Sequence, residues 1–568
     1  MSLEHKSKEL KALVATYNTD WLLGHLSDLI HVGRDRAKDK LGKLLSPQRQ
    51  LTYLAALNVT SEPNSGEDIL YRPDKWNMIV ELLNEIEGHY MKLFWPSKPE
   101  DITEEWKRVR MVAMPSFLSY FNLGPLNFEE QVINWVADLF TPLDATIEKA
   151  TGLKVNHFIV FYNTVDALRQ RSFQAHTMRK DWLRPNWKSY SKIKIGEAEE
   201  APDFIKALED DYAPMSYYMT DHGIIDRFFP KELVSEDLSL EQVLAILGLL
   251  SIKRTQSDFL YYTETRPSNP LFEKPIVDIG GEMYQVFEVK QVIHAVAKLL
   301  ERICAAEKKS KDKYVGLKGD LLEDRIESLF RTFLGADCKI FRSYYVDGRE
   351  QDILILWKDT AFIVEAKGYN IREPMRDPDK AFVVIKDNFN DSIGYGYEQA
   401  RRLEKKFDDQ VVLVITNKKG IVLEEVNTTG YEAFSIIVNL ESFGQVQTDL
   451  MTLLKRSSDD DVFPWAVKLD DLEIFLLTMI AQKRQPTELI DFLKMREELH
   501  GKLICSDELE VCGAFLAGHL KLKRILHANR IITTHDMGDT FDKQYQKGMG
   551  FKNEKMLAEK TSGKYLFW

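Results

Sequence analysis

The sequence predicts a multi-domain α/β protein in which one α/β module is flanked by mainly helical regions. Three observations lead there. Between residues 316 and 440 the hydropathy pattern runs helix, three strands, helix, strand. On both sides of that module apolar residues recur mostly at helical spacing. The length of 568 residues exceeds what one core holds, and at about 150 residues per domain it suggests three or four domains. With 44% hydrophobic and 29% charged residues, wholesale disorder and collagen-like repeats are excluded.

Residues 1–125 read as a helical domain. Trp21, Leu22, Leu26, Leu29 and Ile30 share one helix face, and residues 76–93 repeat the pattern. Residues 126–310 read as a mixed, mostly helical domain, opening with an amphipathic helix over 127–151 whose inward positions are Val132, Trp135, Val136 and Leu139. The stretch 170–227 is aromatic, basic and poorly periodic; it reads as irregular surface, with base stacking the less favoured reading. Gly280 and Gly281 suit the tight turn of a hairpin over 276–287. A striped helix follows, with Val289, Val292, Ile293, Val296, Leu299, Leu300 and Ile303 on one side, and KKSKDK at 308–313 reads as a solvated linker.

The central domain, 311–445, begins with a helix over 317–333. Strands are expected at 339–346, 351–357 and 360–367, and a helix at 392–407. The apolar run 410–416 reads as a strand covered on both faces. SSDDD followed by Pro464 marks a boundary, and 460–568 reads as a C-terminal helical domain with helices at 487–500 and 507–520.

The formal net charge is −12, from 76 Lys+Arg and 88 Asp+Glu, which speaks to solubility and steering and leaves the chemistry of a cleft open. Four cysteines argue for buried thiols in a reducing compartment. The first residues lack an apolar core of signal-peptide length, and the most apolar helix, at 238–252, is interrupted by Glu241 and Gln242, so a cytoplasmic protein without membrane contact is expected. There is no G-x-x-x-x-G-K-[ST], H-E-x-x-H or G-x-S-x-G motif and no cysteine quartet.

Two central strands hold ionisable residues where a core would not want them. In TAFIVEAKG, alternation puts Glu365 and Lys367 on one face, and in REQDILILW Asp352 begins an otherwise apolar strand. Antiparallel pairing through the turn at Lys358-Asp359 would bring Asp352 to the end that carries Glu365 and Lys367. Glu323 interrupts the apolar pattern of the first helix. Converging carboxylates resist desolvation without a cation, and an all-oxygen set suits Mg²⁺ or Mn²⁺. Such an ion with a neighbouring amine points to phosphodiester hydrolysis.

Gly319 to Glu323, then Asp352, then Glu365-Ala366-Lys367, in the order αβββαβ, resembles the PD-(D/E)xK, or restriction-endonuclease-like, nuclease superfamily. Gly396-Tyr397-Glu398-Gln399-Ala400 is similar to that family's later helix. The resemblance implies that Asp352, Glu365 and the carbonyl of Ala366 bind Mg²⁺ or Mn²⁺, with Glu323 supporting the metal shell or a second ion. It implies that Lys367 activates the attacking water and that Gln399 positions Lys367 or a backbone phosphate. It further implies endonucleolytic cleavage of DNA leaving 5′-phosphate and 3′-hydroxyl ends, often by a homodimer. The long flanks suggest targeting, regulation or partner binding, as in a bacterial defence nuclease. A nuclease acting on RNA, and a non-catalytic nucleic-acid-binding or scaffold protein that keeps the fold, stay open.

Overall fold

Apolar stripes at helical spacing need a surface to bury against. In a computed structural model of the chain they do so in two separate units: Met1–Met91 with Val132–Glu307, and Lys92–Gln131 with Lys308–Lys564. The structure describes all residues except 1, 32–43, 45, 63–72, 97, 125, 173–222, 264–267, 374, 459–460, 506, 528–531, 534–536 and 552–568. Most of the aromatic stretch 170–227 therefore lies outside the described residues.

The first unit is mainly helical. Thr19–His31, Pro47–Val59 and Pro73–Lys92 are helices, and Val289–Ala305 buries Val292, Ile293, Val296 and Leu300 completely. The hairpin expected at 276–287 forms as Ile276–Gly280 and Met283–Val286, inside a four-stranded sheet. The helix expected over 127–151 is interrupted: Glu129–Phe140 gives way to a tight turn at Thr141–Leu143 before Asp144–Thr151. Pro142 explains the break, since it has no N–H to continue the ladder. No helix among the described residues is long and apolar enough to cross a membrane.

The second unit is built on one seven-stranded mixed sheet. Its elements are α1 (Glu104–Leu118), α2 (Lys308–Leu334), β1 (Lys339–Val346), β2 (Arg349–Trp357), β3 (Thr360–Lys367), α3 (Pro378–Phe389) and α4 (Tyr395–Asp408). There follow β4 (Val412–Thr416), β5 (Val422–Asn427), β6 (Glu432–Asn439), β7 (Trp465–Lys468), α5 (Leu469–Ala481), α6 (Thr487–Leu499) and α7 (Glu508–His527). The strand order is β7-β6-β3-β2-β1-β4-β5. β1, β2 and β3 form an antiparallel meander, while β6 lies parallel to β3 and β7 parallel to β6. The central strands are covered on both sides, which their near-continuous apolar runs require. On one face Phe330 of α2 packs on Phe362, ring centroids 5.8 Å apart. On the other, α4 packs on β3 and β6.

Several expectations are corrected. The charged run at 308–313 is not a linker but the first turns of α2, a helix of 27 residues. The run 410–416 is not a strand covered on both faces: β4 pairs mainly with β5 as a hairpin near the sheet edge, with Val412 58% and Val414 40% exposed. The parallel neighbour of β3 is instead β6. The four expected domains, 1–125, 126–310, 311–445 and 460–568, are not four units. Residues 92–131 group with the central module because α1 packs along α3, with Arg110 paired to Asp379 at 2.9 Å. The C-terminal region joins the same unit because β7 extends the sheet.

That union has an ionic core. Arg496 of α6 and Glu508 of α7, 1% and 2% exposed, meet at 2.8 Å, and the same Glu508 oxygen accepts from Trp465 Nε1 on β7. Removing one partner leaves the other buried and unpaired, which typically costs about 3–5 kcal/mol. Arg496→Leu should therefore lower unfolding free energy by roughly that amount in urea titration, and Arg496→Met combined with Glu508→Leu should recover most of it.

Candidate active site

Strand alternation and register carry Asp352, Glu365 and Lys367 to one place. The β2–β3 ladder ends with Ile353 paired to Val364, so the next position sets Asp352 across from Glu365. Two residues on, Lys367 rises from the same face as Glu365. The Asp352 carboxylate accepts from the Ala366 backbone N–H at 2.7 Å, which pins it to the end of β3. Lys367 Nζ donates to Glu365 Oε2 at 2.8 Å, to Gln399 Oε1 at 2.8 Å and to Asp352 Oδ2 at 3.2 Å. Four of the residues singled out in the sequence thus meet around one ammonium.

α4 is brought close by a glycine. A Cβ on Gly396 would lie 3.0 Å from Lys367 Cε and 3.0 Å from Ile437 Cγ2, so this position needs the absence of a side chain. One turn further, Gln399 reaches Nζ, and Tyr395 at the start of α4 sets its ring 5.6 Å from it. Asp352, Lys367, Gln399, Tyr395, Arg349 and Arg402 line one open pocket of about 550 Å³.

The electrostatics are severe. Glu365 is fully buried, and its Oε1 has no hydrogen-bond partner. Burial first, and the Asp352 carboxylate second, push the Glu365 carboxyl up to about 8. Burial also works against the Lys367 ammonium, but Glu365 and Asp352 outweigh it and hold the amine above the ordinary lysine range. Lys367 is therefore a cation at neutral pH, the charge that makes this acid pair tolerable.

Glu323 is placed elsewhere. Its Oε2 accepts from Arg342 Nε at 2.9 Å and from Ser343 Oγ at 3.0 Å, and Arg342 also pairs with Asp324 and donates to the Asp320 carbonyl. Burial, opposed by Arg342 and Ser343, raises the Glu323 carboxyl, and Asp352 is near enough to add to the rise. Among the described residues no three His, Cys, Asp or Glu side chains cluster as a ready-made metal cage. What Asp352 and Glu365 offer a hard cation is two carboxylates, one with an oxygen that nothing else satisfies; that donor set fits Mg²⁺ or Mn²⁺. The Ala366 carbonyl lies on the same strand end.

Sequence reasoning missed three neighbours. Ser343 adopts φ 46° at the position across from Asp352, a strained backbone for a non-glycine residue. Tyr344 is completely buried with no hydrogen-bond partner for its hydroxyl, and burial, then Glu365 and Asp352, raise its pKa well above the usual phenol value. Neither residue type is unusual in a strand, so the sequence carried no signal for them. Arg349 had none either.

Two outcomes follow. Because the Glu365 carboxyl sits above its ordinary 4.5, its neutral form stabilises the fold fully below about pH 4.5, and that contribution is lost as pH rises through about 8. In thermal melts without divalent ions, Glu365→Gln should match wild type near pH 5 and melt higher by about 5 °C near pH 8.5; a pH-independent difference would contradict this. Gly396→Ala should displace Lys367 by tenths of an ångström while unfolding free energy changes by less than about 2 kcal/mol, read by denaturation and by the shift of a labelled Lys367 ammonium in NMR.

No protein-family model, curated protein or solved structure matches this chain.

Proposed function

We propose that the second unit contains a restriction-endonuclease-like core and that the protein is a metal-dependent nuclease hydrolysing phosphodiester bonds of DNA, endonucleolytically. The observation that carries this reading is the meeting of Asp352, Glu365 and Lys367 at one strand end, with a buried carboxylate oxygen left without a partner. Topology supports it: helix α2, the antiparallel meander β1–β3, helices α3 and α4, and, after the β4–β5 hairpin, a strand β6 parallel to β3.

Asp352 and Glu365, with the Ala366 carbonyl, are the groups that would hold Mg²⁺ or Mn²⁺. Bound there, such an ion would polarise a phosphoryl oxygen and lower the pKa of its water. Lys367 holds its proton, so its contribution is to donate to a non-bridging phosphate oxygen and to stabilise the negative charge that builds there. Gln399 accepts from Nζ and fixes the amine for that task. Glu323, engaged by Arg342 and Ser343, braces the middle of β1 rather than touching the reacting atoms.

A second reading is a non-catalytic nucleic-acid-binding protein of the same fold, favoured by the convergence of only two carboxylates. Incubation of plasmid, linear duplex, single strands and RNA with Mg²⁺, Mn²⁺ or EDTA decides between them. The nuclease reading expects nicked or linear plasmid with 5′-phosphate ends, no product in EDTA, and a loss of at least about 10²-fold in Asp352→Asn and Lys367→Met. Cleavage that survives Lys367→Met undiminished would sink it.

A further inference from the structure

Two adjacent arginines on α4 have different fates. Arg401 is fully engaged: its Nε and Nη2 donate to Asp461 at 3.0 and 2.8 Å, and its Nη1 donates to Asp408 at 2.7 Å. Arg402, exposed and without an ion pair or hydrogen bond among the described residues, lines the pocket with Asp352 and Lys367. It stands one helical turn from Gln399, on the same side of α4. Arg349, at the start of β2, is likewise exposed, without a side-chain partner among the described residues, and part of the pocket wall.

Both guanidinium groups sit on rigid supports. Arg349 leaves a two-residue hairpin turn in which Asp347 (φ 51°) and Gly348 (φ 73°) both take the left-handed conformation that matches the strand twist. Lys406, one turn beyond Arg402, pairs with Asp347 at 2.9 Å. That exposed contact places the helix bearing Arg402 beside the turn that precedes Arg349. The pocket wall carries three cations, Arg349, Lys367 and Arg402, against two carboxylates, Glu350 and Asp352, in a chain whose net charge is −12. Glu350 is partly engaged, accepting from the Tyr345 hydroxyl at 2.8 Å.

An unpaired guanidinium on a rigid support is suited to bidentate capture of a phosphate. We propose that Arg349 and Arg402 form a two-point phosphate clamp that grips the backbone of a polynucleotide on the approach to Asp352 and Lys367. The substrate they select is a polymer presenting several phosphates, not a nucleotide with one. The proposal rests on the nuclease reading for what lies between the two arginines, but its grip on phosphate requires no metal.

The test is binding of a fluorescent 20-mer, as duplex DNA, single-stranded DNA and RNA, to the full chain in EDTA, by anisotropy across a salt series. Arg349→Gln and Arg402→Gln should each weaken duplex binding roughly tenfold and flatten the slope of log K against log[salt] by about 0.9, the double variant by about twice that. Lys358→Gln, at the opposite end of β2, serves as the charge-matched control and should leave the slope unchanged. Unaltered affinity and slope in both arginine variants would overturn the clamp. Metal-dependent cleavage accompanied by unaltered slopes would remove the clamp and keep the nuclease. Arginine-dependent binding with no cleavage in any metal would keep the clamp and remove the nuclease.

Discussion

A glutamate with no access to water, set beside an aspartate, is the constraint on which the second unit turns. Ionising such an acid away from water costs several kcal/mol, and the cation held against it offsets only part of that, so the Glu365 carboxyl is pushed up to about 8. Lys367 is held there by three oxygen acceptors from three elements, Asp352 of β2, Glu365 of β3 and Gln399 of α4. The rest of the unit secures that meeting. The β2–β3 register brings the two acids together, β6 walls in Glu365 through Ile437, and Gly396 lets α4 come near enough for Gln399 to close the cage.

One oxygen of Glu365 remains unsatisfied, and this separates the cluster from a fully satisfied buried ion pair. Arg496 and Glu508 show what a structural pair looks like: both carboxylate oxygens are taken, by the guanidinium and by Trp465. Glu365 has the same burial but leaves Oε1 bare. Strongly perturbed acids in a pocket are frequent at functional sites, and here the perturbation arises from geometry that could be relaxed by simple substitution of Lys367 and both acids with apolar residues.

The strands that carry Asp352, Glu365 and Lys367 were legible because charge violates their pattern. Asp352, Glu365 and Lys367 interrupt runs that are otherwise apolar, and a period of two places them without any tertiary information. Gln399 was legible only through its motif. The fate of Glu323 was not: its engagement by Arg342 and Ser343 depends on where β1 runs beside α2, which local pattern does not record. The apolar run at β4 looked like a strand covered on both faces because local pattern records hydrophobicity and not which neighbour covers it; the parallel place beside β3 went to β6, whose Glu432 pairs with Thr360 far away in the chain. Likewise Arg401 and Arg402 read alike in sequence, and only packing against Asp461 tells them apart.

The central claim is that the cage around Lys367 is also a seat for one divalent ion. Its most direct test is Mn²⁺ titration of the full chain followed by electron paramagnetic resonance. The account predicts one bound Mn²⁺ per chain in wild type, lost in Asp352→Asn and in Glu365→Gln. Stoichiometric binding that ignores both substitutions, or no binding by the wild-type protein at millimolar Mn²⁺, would contradict it.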